Sequence, residues 1–516
     1  MVPRHLALAL AAASGILLAL SFPKFGHPSF AWIALAPLLV AIRGGSLLRA
    51  FVLGLTAGGV YFAGTLYWIT HVMTVYGGLH PVVALLVNAL LVAYLALFPA
   101  TFAVVTRRIV AGIGPKGLLV APAVWVATEL GRTYLFSGFP WVLLGYSQAG
   151  VLPIAQLASV VGVYGVSALA AGVGATLAYG ASAAWSGVGT RRRSEGFPWS
   201  PFVPALAMLG IVVAVAAWGS LRLADGELTR DGVAVRVGLV QGNVDQAEKW
   251  DPRRAEAIFQ EHIDLTRRAI GEGADVVIWP ESATPFTFEE DSAGADEVRA
   301  LAREAQVSIL LGSDEIERGE PTRYFNSAFL VRPDGSTAGV YRKMHLVPFG
   351  EYVPLKRVLF FAAPLVEAVA DFSPGAQAVL LPLDGHPVST AICYEIVYPD
   401  LVRRFVAGGS ELLTTITNDA WFGRTSAPYQ HFAQASMRAV ENGRYLVRAA
   451  NTGVSGVVDP YGRVIVESPI FEPAVLVSQV RFRRPRTLYT RTGDVFAYAT
   501  LVLTMAVVMV SRRRVQ

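Results

Sequence analysis

Long apolar runs with almost no ionisable side chains, more than any short motif, limit what this chain can fold into. A bilayer core about 30 Å thick is crossed by roughly 20 helical residues. Runs of that character lie near residues 5–22, 29–42, 50–73, 81–105, 117–135, 154–183, 201–220 and 494–511. The second is short, and the sixth is long enough to tilt or break at its glycines. Seven runs precede residue 221 and one closes the chain, so a membrane part brackets a polar part. The composition agrees: 53% of the 516 residues are hydrophobic and only 16% charged, too apolar for an ordinary soluble protein.

Short loops rich in Lys and Arg stay on the cytoplasmic side. With the N-terminus inside, the cytoplasmic segments hold Arg4, Arg43, Arg49, Arg107, Arg108, Lys116, Arg191, Arg192, Arg193, Arg512, Arg513 and Arg514, while the opposite short loops hold only Lys24. A seventh span running outward then places residues from about 222 to 493 outside the cytoplasm. The first run ends in Ser21-Phe22-Pro23-Lys24 rather than a small-x-small cleavage site, so it is expected to remain as a helix. The net charge of +5 reflects these flanking clusters; an aromatic-interleaved basic patch is missing, and nucleic acid is not expected as a partner. The expected domains are residues 1–221, a bundle of seven spans; 222–485, an extracytoplasmic catalytic domain; and 486–516, the last span with a cytoplasmic tail.

From residue 233 the pattern changes to short β-rich runs at 233–240, 275–279, 307–311, 327–331, 388–392 and 412–417. Amphipathic helical stretches near 252–272, 294–305 and 428–445 alternate with them, which predicts a layered α/β domain. The predicted fold is therefore a multi-pass α-helical bundle of about eight spans joined to an α/β domain.

Three polar residues close β-rich runs. Glu281 follows Val276-Val277-Ile278-Trp279-Pro280, Lys343 lies in Tyr341-Arg342-Lys343-Met344-His345, and Cys393 closes Ser389-Thr390-Ala391-Ile392. Strand ends in α/β folds gather catalytic groups, because the sheet holds the backbone rigid while side chains converge on one edge. Cys393 is the one cysteine in the chain, which excludes an intramolecular disulfide. A thiol attacks as the thiolate, so it needs a base or a positive neighbour. A glutamate could take its proton, and a lysine could stabilise both the thiolate and an oxyanion. Taken singly, each residue has a plainer explanation: a buried small hydrophobe for Cys393, a cap or surface charge for Glu281, an exposed strand-end cation for Lys343. Glu129 and Arg132, three residues apart near the outer end of the fifth run, share a helix face; an interfacial ion pair or a lipid headgroup site is open there. His345 has no HxH or HxxxH companion, so neither metal nor cofactor is expected.

Together the three segments carry a resemblance. Trp279-Pro280-Glu281, then Arg342-Lys343-Met344-His345-Leu346-Val347-Pro348-Phe349-Gly350-Glu351, then Ile392-Cys393-Tyr394-Glu395 are similar to the Glu, Lys and Cys signatures of the nitrilase superfamily, in the same order. A wider set narrows it: Val240-Gln241-Gly242-Asn243 with Trp250, Phe349 to Pro354, Thr417-Asn418-Asp419-Ala420-Trp421-Phe422-Gly423, Gly138-Phe139-Pro140-Trp141 with Gly145-Tyr146-Ser147-Gln148, and Tyr489 to Asp494. These resemble the apolipoprotein N-acyltransferases, the branch of that superfamily fused to a membrane bundle. The resemblance implies an αββα sandwich and a two-step reaction at the bacterial inner membrane. Glu281 would be the general base, Cys393 the nucleophile that takes an acyl chain from a phospholipid, and Lys343 the stabiliser of the tetrahedral intermediate. The acceptor would be the α-amine of a diacylglyceryl-cysteine lipoprotein. Glu351 would steady Lys343 or the base, Tyr394 and Glu395 would shape the pocket, and Trp250 and Asn326 would support binding. A monomer is expected.

Two other readings use the same residues differently. A membrane-tethered amidase would discharge the thioester to water, and the strand-end residues alone do not separate the two. A non-enzymatic transporter or scaffold would need intramembrane charge along a polar path, which is scarce. The apolar insertion 355–369 suggests a lid dipping into the outer leaflet, with a packed surface helix as the alternative.

Overall fold

The computed structural model describes residues 2–188, 202–249, 251–352 and 371–513. Trp250 and the insertion 355–369 lie outside the described residues. The chain divides into two compact units. One comprises Met1–Thr74, Leu79–Asp225 and Thr492–Gln516; the other comprises Val75–Gly78 and Gly226–Arg491.

The first unit is helical. Among the described residues, five helices are long and apolar enough to cross a membrane: Leu47–Thr65, Pro81–Ile113, Ala158–Ser182, Val203–Arg230 and Val495–Arg512. The first, second and fifth apolar runs form shorter helices, with Arg4–Ala19, Ala36–Ile42 and Ala121–Tyr134 at their centres. The third run, read as one helix to residue 73, instead stops at Thr65, and a separate short helix, Trp68–Val75, follows. The sixth run bends at Gly162, where φ is +68° and no L side chain would sit easily.

Helices Leu47–Thr65 and Pro81–Ile113 pack through small residues. Without a hydrophobic drive between helices in lipid, close backbone approach supplies the attraction, and glycines four apart permit it. Gly54 and Gly58 form such a pair: a Cβ on Gly54 would meet the Pro99 carbonyl oxygen at 2.5 Å and the Ala100 Cα at 2.6 Å.

Glu129 and Arg132 are both only 2% exposed, so neither is a free interfacial charge. Arg132 Nη1 donates to the Trp141 carbonyl at 2.6 Å and Glu129 Oε1 accepts the Leu144 N–H at 2.7 Å. The two charges pin the segment that follows their helix. An exposed headgroup site does not describe them.

Among the described residues, the second unit holds twelve strands in two six-stranded sheets. The first sheet contains β1 (Val233–Gln241), β2 (Val276–Ile278), β3 (Ser308–Glu317), β4 (Arg323–Val331), β5 (Thr337–Arg342) and β12 (Ala474–Phe482), in the order β12-β1-β2-β3-β4-β5. The second contains β6 (Leu381–Leu383), β7 (His386–Ile392), β8 (Leu412–Thr417), β9 (Leu446–Ala450), β10 (Gly456–Val458) and β11 (Val464–Glu467), in the order β11-β10-β9-β8-β7-β6. Each sheet has three parallel strands at its centre, β1-β2-β3 and β7-β8-β9, flanked by antiparallel ones.

Side chains alternate across each sheet, and that alternation builds the layers. Val276 and Ile278 of β2 face an inner core shared with Ile392, Ile416 and Val447 of the other sheet. Val277 and Trp279 face outward, where they pack with Phe259 and Ile263 of helix Ala255–Gly271 and Val298 of helix Ser292–Ala305. Helices Pro399–Ala407 and Ala427–Asn442 accompany the second sheet, giving a helix-sheet-sheet-helix sandwich. The helices and strands predicted from residue 233 onward all form, and β5, β6, β9 to β12 and helix Pro399–Ala407 join them.

Replacing Gly54 by Leu is expected to destabilise the helical unit by about 1–3 kcal/mol through overpacking against immovable backbone, read as a lower thermal unfolding midpoint of the detergent-solubilised protein.

Candidate active site

The three strand-end residues converge from both sheets. Glu281 follows β2, Lys343 follows β5, and Cys393 starts the 3-10 turn Cys393–Val397 directly after β7. The backbone is strained where these residues gather. Ser282 (φ +45°) and Cys393 (φ +52°) both sit in the left-handed region that non-glycine residues avoid, at a cost of order 1–3 kcal/mol that the surrounding packing must offset. Gly312 of β3 lies under the Glu281 turn, where a Cβ would be 2.7 Å from the Ser282 nitrogen and 2.8 Å from the Glu281 Cα. Only a glycine lets that turn lie so close to the sheet.

Lys343 is 1% exposed and Glu281 7%. An ammonium and a carboxylate removed from water this far survive only if each is multiply bonded. Lys343 Nζ donates to Glu281 Oε1 at 3.2 Å and to Glu351 Oε1 at 2.8 Å. Asn326 Nδ2 donates to the same two carboxylates, at 2.7 and 3.1 Å. The second oxygen of Glu281 accepts the Asn418 N–H at 2.8 Å, and that of Glu351 accepts the Val347 N–H at 2.7 Å. Thus Lys343 lies between two anions that Asn326 ties together.

These contacts set the protonation states. Burial pushes the Glu281 carboxyl up, but Lys343, Asn326, Lys249 and the Asn418 N–H together hold it below its usual range. Burial pulls the Lys343 ammonium down, and Glu281 and Glu351 outweigh it, so the lysine is charged. Cys393, of intermediate exposure, behaves oppositely: burial and then Glu281 push its thiol up, with Lys343 opposing. The resting arrangement is a carboxylate, an ammonium and a neutral thiol within electrostatic range of one another.

Glu395 has both carboxylate oxygens bonded within the protein. It is fully buried and braces two segments: Oε1 accepts from the Tyr341 hydroxyl and from the Met344 and His345 N–H groups at 2.7–3.0 Å, and Oε2 accepts from the Ile392 N–H at 2.8 Å. It therefore couples the chain around Lys343 to the strand end that carries Cys393. Tyr394 packs its ring 5.3 Å from that of Tyr398. His345 is held near 4 by burial and Lys343, so it is neutral at pH 7.

Of the other groups in this centre, Asp419 falls in the Thr417–Gly423 segment already singled out, whereas Lys249, Asp314, His431 and Arg448 carry no signal in sequence of the kind that singles out a strand-end Glu, Lys or Cys. Lys249, buried, donates from Nζ to the Glu281 carbonyl oxygen at 3.3 Å and adds a second cation beside that carboxylate. Asp314 on β3 is pushed up to about 6 by burial and accepts from the Ser282 hydroxyl. Behind Cys393, Asp419, His431 and Arg448 form a wholly buried cluster. Among the described residues, no group of three His, Cys, Asp or Glu side chains is arranged to hold a metal ion.

Asp419 gives a pH prediction. Arg448 and His431 hold its carboxyl at about 2 against an ordinary 3.8, despite burial. A depressed folded-state value means stabilisation that is complete above the unfolded value and is lost as pH falls through the folded one. Stability of the sandwich unit should therefore fall by on the order of 2 kcal/mol between pH 4 and pH 2 through this group. Denaturant titrations across that window should show the fall, and Asp419→Asn should flatten it.

Comparison with known proteins adds to this geometry. The family profile described as carbon-nitrogen hydrolase matches residues 236–488, and that described as apolipoprotein N-acyltransferase N-terminal domain matches residues 14–176. A protein named apolipoprotein N-acyltransferase from Geobacter metallireducens is 42% identical over 507 residues, spanning 98% of this chain and 95% of its own. One of the same name from Methylococcus capsulatus is 36% identical over 513 residues, spanning 98% and 97%. Among solved structures, an amidase from Nesterenkonia sp. is 24% identical, covers 53% of this chain and 98% of its own, and has a TM-score of 0.39.

Proposed function

Since this chain belongs to the apolipoprotein N-acyltransferase family, we infer that it is a membrane enzyme that N-acylates lipoproteins through an acyl-cysteine at Cys393. The observation that carries this reading is the buried Lys343 ammonium held between Glu281 and Glu351 within electrostatic range of the one thiol in the chain.

In the first half-reaction the Cys393 sulfur attacks the ester carbonyl of a phospholipid while Glu281 takes the thiol proton. The S–C bond forms, and the carbonyl electron pair moves onto oxygen, where Lys343 stabilises it. Collapse breaks the ester C–O bond, Glu281 returns the proton to the departing lysophospholipid oxygen, and a thioester remains. In the second half-reaction the N-terminal α-amine of a diacylglyceryl-cysteine lipoprotein attacks the thioester. The C–N bond forms as Glu281 accepts a proton from that amine, the C–S bond breaks, and Glu281 returns the proton to the departing Cys393 sulfur. All the named groups come from one chain, so a monomer suffices.

The distribution of Lys and Arg supports an N-terminus in the cytoplasm and an extracytoplasmic sandwich unit at the bacterial inner membrane. A reporter enzyme that matures only outside the cytoplasm should be active when fused after Gly226 and inactive when fused after Arg513.

Intact mass tests the chemistry. The purified protein incubated with phospholipid should gain one acyl mass that hydroxylamine removes, and Cys393→Ser should gain none. Glu281→Gln should form the adduct about 10²–10⁴-fold more slowly, the usual effect of losing a general base. A diacylglyceryl peptide with a free N-terminus should discharge the thioester. Equal discharge by water alone would favour an amidase, and failure of the wild type to acquire the acyl mass would overturn the reading.

A further inference from the structure

The cluster of Asp419, His431 and Arg448 has no part in the chemistry above, although all three side chains are fully buried and one reaches the nucleophile's own backbone. His431, on helix Ala427–Asn442, places Nε2 at 3.2 Å from the Cys393 carbonyl oxygen. A carbonyl only accepts, so Nε2 carries the proton. At the other ring nitrogen, Arg448 Nη2 lies 3.0 Å from Nδ1 and 2.8 Å from Asp419 Oδ2. A guanidinium only donates; in the neutral ring its two Nη2 hydrogens serve the carboxylate and the Nδ1 lone pair. Asp419 Oδ1, 3.0 Å from Nδ1, accepts from the Thr417 hydroxyl at 3.0 Å. In the imidazolium the Nδ1–H donates to Asp419 Oδ1 instead, and in either form Nε2–H is the donor to the Cys393 carbonyl. Arg448 is itself held by an Nε bond to the Val454 carbonyl at 3.2 Å, and the Phe422 ring lies 6.0 Å from the imidazole.

The arrangement looks like a nucleophile triad, but its histidine bonds to the carbonyl oxygen of the nucleophile residue. Its consequence follows from peptide planarity. A trans peptide is a rigid plate in which the C=O and the next N–H point in opposite directions, so anchoring the Cys393 carbonyl also fixes the direction of the Tyr394 N–H. It also holds Cys393 at a φ of +52°, a conformation its own backbone resists.

Resting on the function inferred above, we propose that His431 is a positioning residue that clamps the Cys393–Tyr394 peptide plane, and so aims the sulfur between Glu281 and Lys343, with Asp419 and Arg448 fixing the imidazole. The clamp acts on attack geometry. Substrate binding is expected to be nearly unaffected.

Glutamine's amide nitrogen takes roughly the place of imidazole Nε2, whereas asparagine is too short to reach the Cys393 carbonyl. The full-length protein in detergent is compared as wild type, His431→Asn, His431→Gln and Asp419→Asn. Two acyl donors are used in single turnovers: phospholipid, read by intact mass, and p-nitrophenyl butyrate, read by nitrophenolate release. Since Cys393 is the one cysteine, the adduct that hydroxylamine removes and that Cys393→Ser does not form is counted as reporting on it, with Cys393→Ser as the background for both donors. His431→Asn should acylate about a hundredfold more slowly at saturating donor, the usual scale for an ångström of misplacement, with the half-saturating concentration within about twofold of wild type. His431→Gln should recover most of that loss. Asp419→Asn should fall between them.

The clamp is overturned if His431→Asn acylates at the wild-type rate with either donor. It is equally overturned if His431→Gln, with an unchanged unfolding midpoint, is as slow as His431→Asn. If His431→Asn does not fold, the Gln and Asp419→Asn variants decide by the same comparison. A wild type that reacts with the nitrophenyl ester but never with phospholipid would count against the lipid donor and leave the clamp standing on the other donor's rates.

Discussion

An ammonium at 1% exposure is the constraint around which the sandwich unit is organised. Lys343 cannot stay charged there without anions close by, and two carboxylates at contact would repel each other without it. Asn326 resolves the remaining demand by donating to both Glu281 and Glu351, so each carboxylate oxygen that faces the lysine has a second donor. The outward oxygens are taken by backbone N–H groups of Asn418 and Val347. Removing any one member would leave a buried charge short of a partner. The proposed chemistry and the stability of this region therefore rest on the same bonds.

That constraint reaches both sheets. Glu281 and Lys343 belong to the first sheet, whereas Asn418 and Cys393 extend the parallel strands β8 and β7 of the second. Parallel strands put successive C-terminal ends on one edge, and stacking two such sheets brings the two edges together. Glu395 adds a stitch that sequence position does not suggest, since its carboxylate joins the backbone at Met344 and His345 to that at Ile392. With the lysine segment and the strand before Cys393 fixed to one another, strain at Cys393 can be held without distorting either sheet.

Much of this was legible in sequence because it follows from local rules. Charge-poor runs mark helices that suit a membrane, and a polar residue closing a β-rich run marks a strand end. The limits of each rule are equally local. The run 50–73 reads as one span because apolar character persists past Thr65, yet the chain turns there. β9 is hard to see because Arg448 interrupts Leu446-Val447 and Ala449-Ala450; its charge is cancelled by Asp419, distant in sequence. Glu129 and Arg132 look like a surface pair at helical spacing, and only the fold shows the segment that they hold from beneath. Lys249, Asp314 and His431 lie in segments whose pattern is that of ordinary loop, strand and helix. Their importance comes from what the tertiary structure sets opposite them.

In the proposed reaction, the pairing of Lys343 with two carboxylates would also account for how a thiol that burial keeps neutral can act. At rest the negative charge sits on Glu281 and Glu351, with Lys343 bonded to both. When Glu281 takes the thiol proton in the proposed attack, it loses its charge and its claim on the ammonium weakens. At the same moment negative charge appears on the oxygen of the attacked carbonyl. Lys343 can turn toward that oxygen while Glu351, which gives up no charge, keeps it in place. One carboxylate is thus a transient partner that exchanges its charge for a proton, and the other is a permanent one. A single glutamate could not fill both roles, because protonating it would leave a buried ammonium with no fixed counter-charge until the oxyanion had fully formed. With two, the site stays close to electrically balanced throughout, so little reorganisation is required at the transition state.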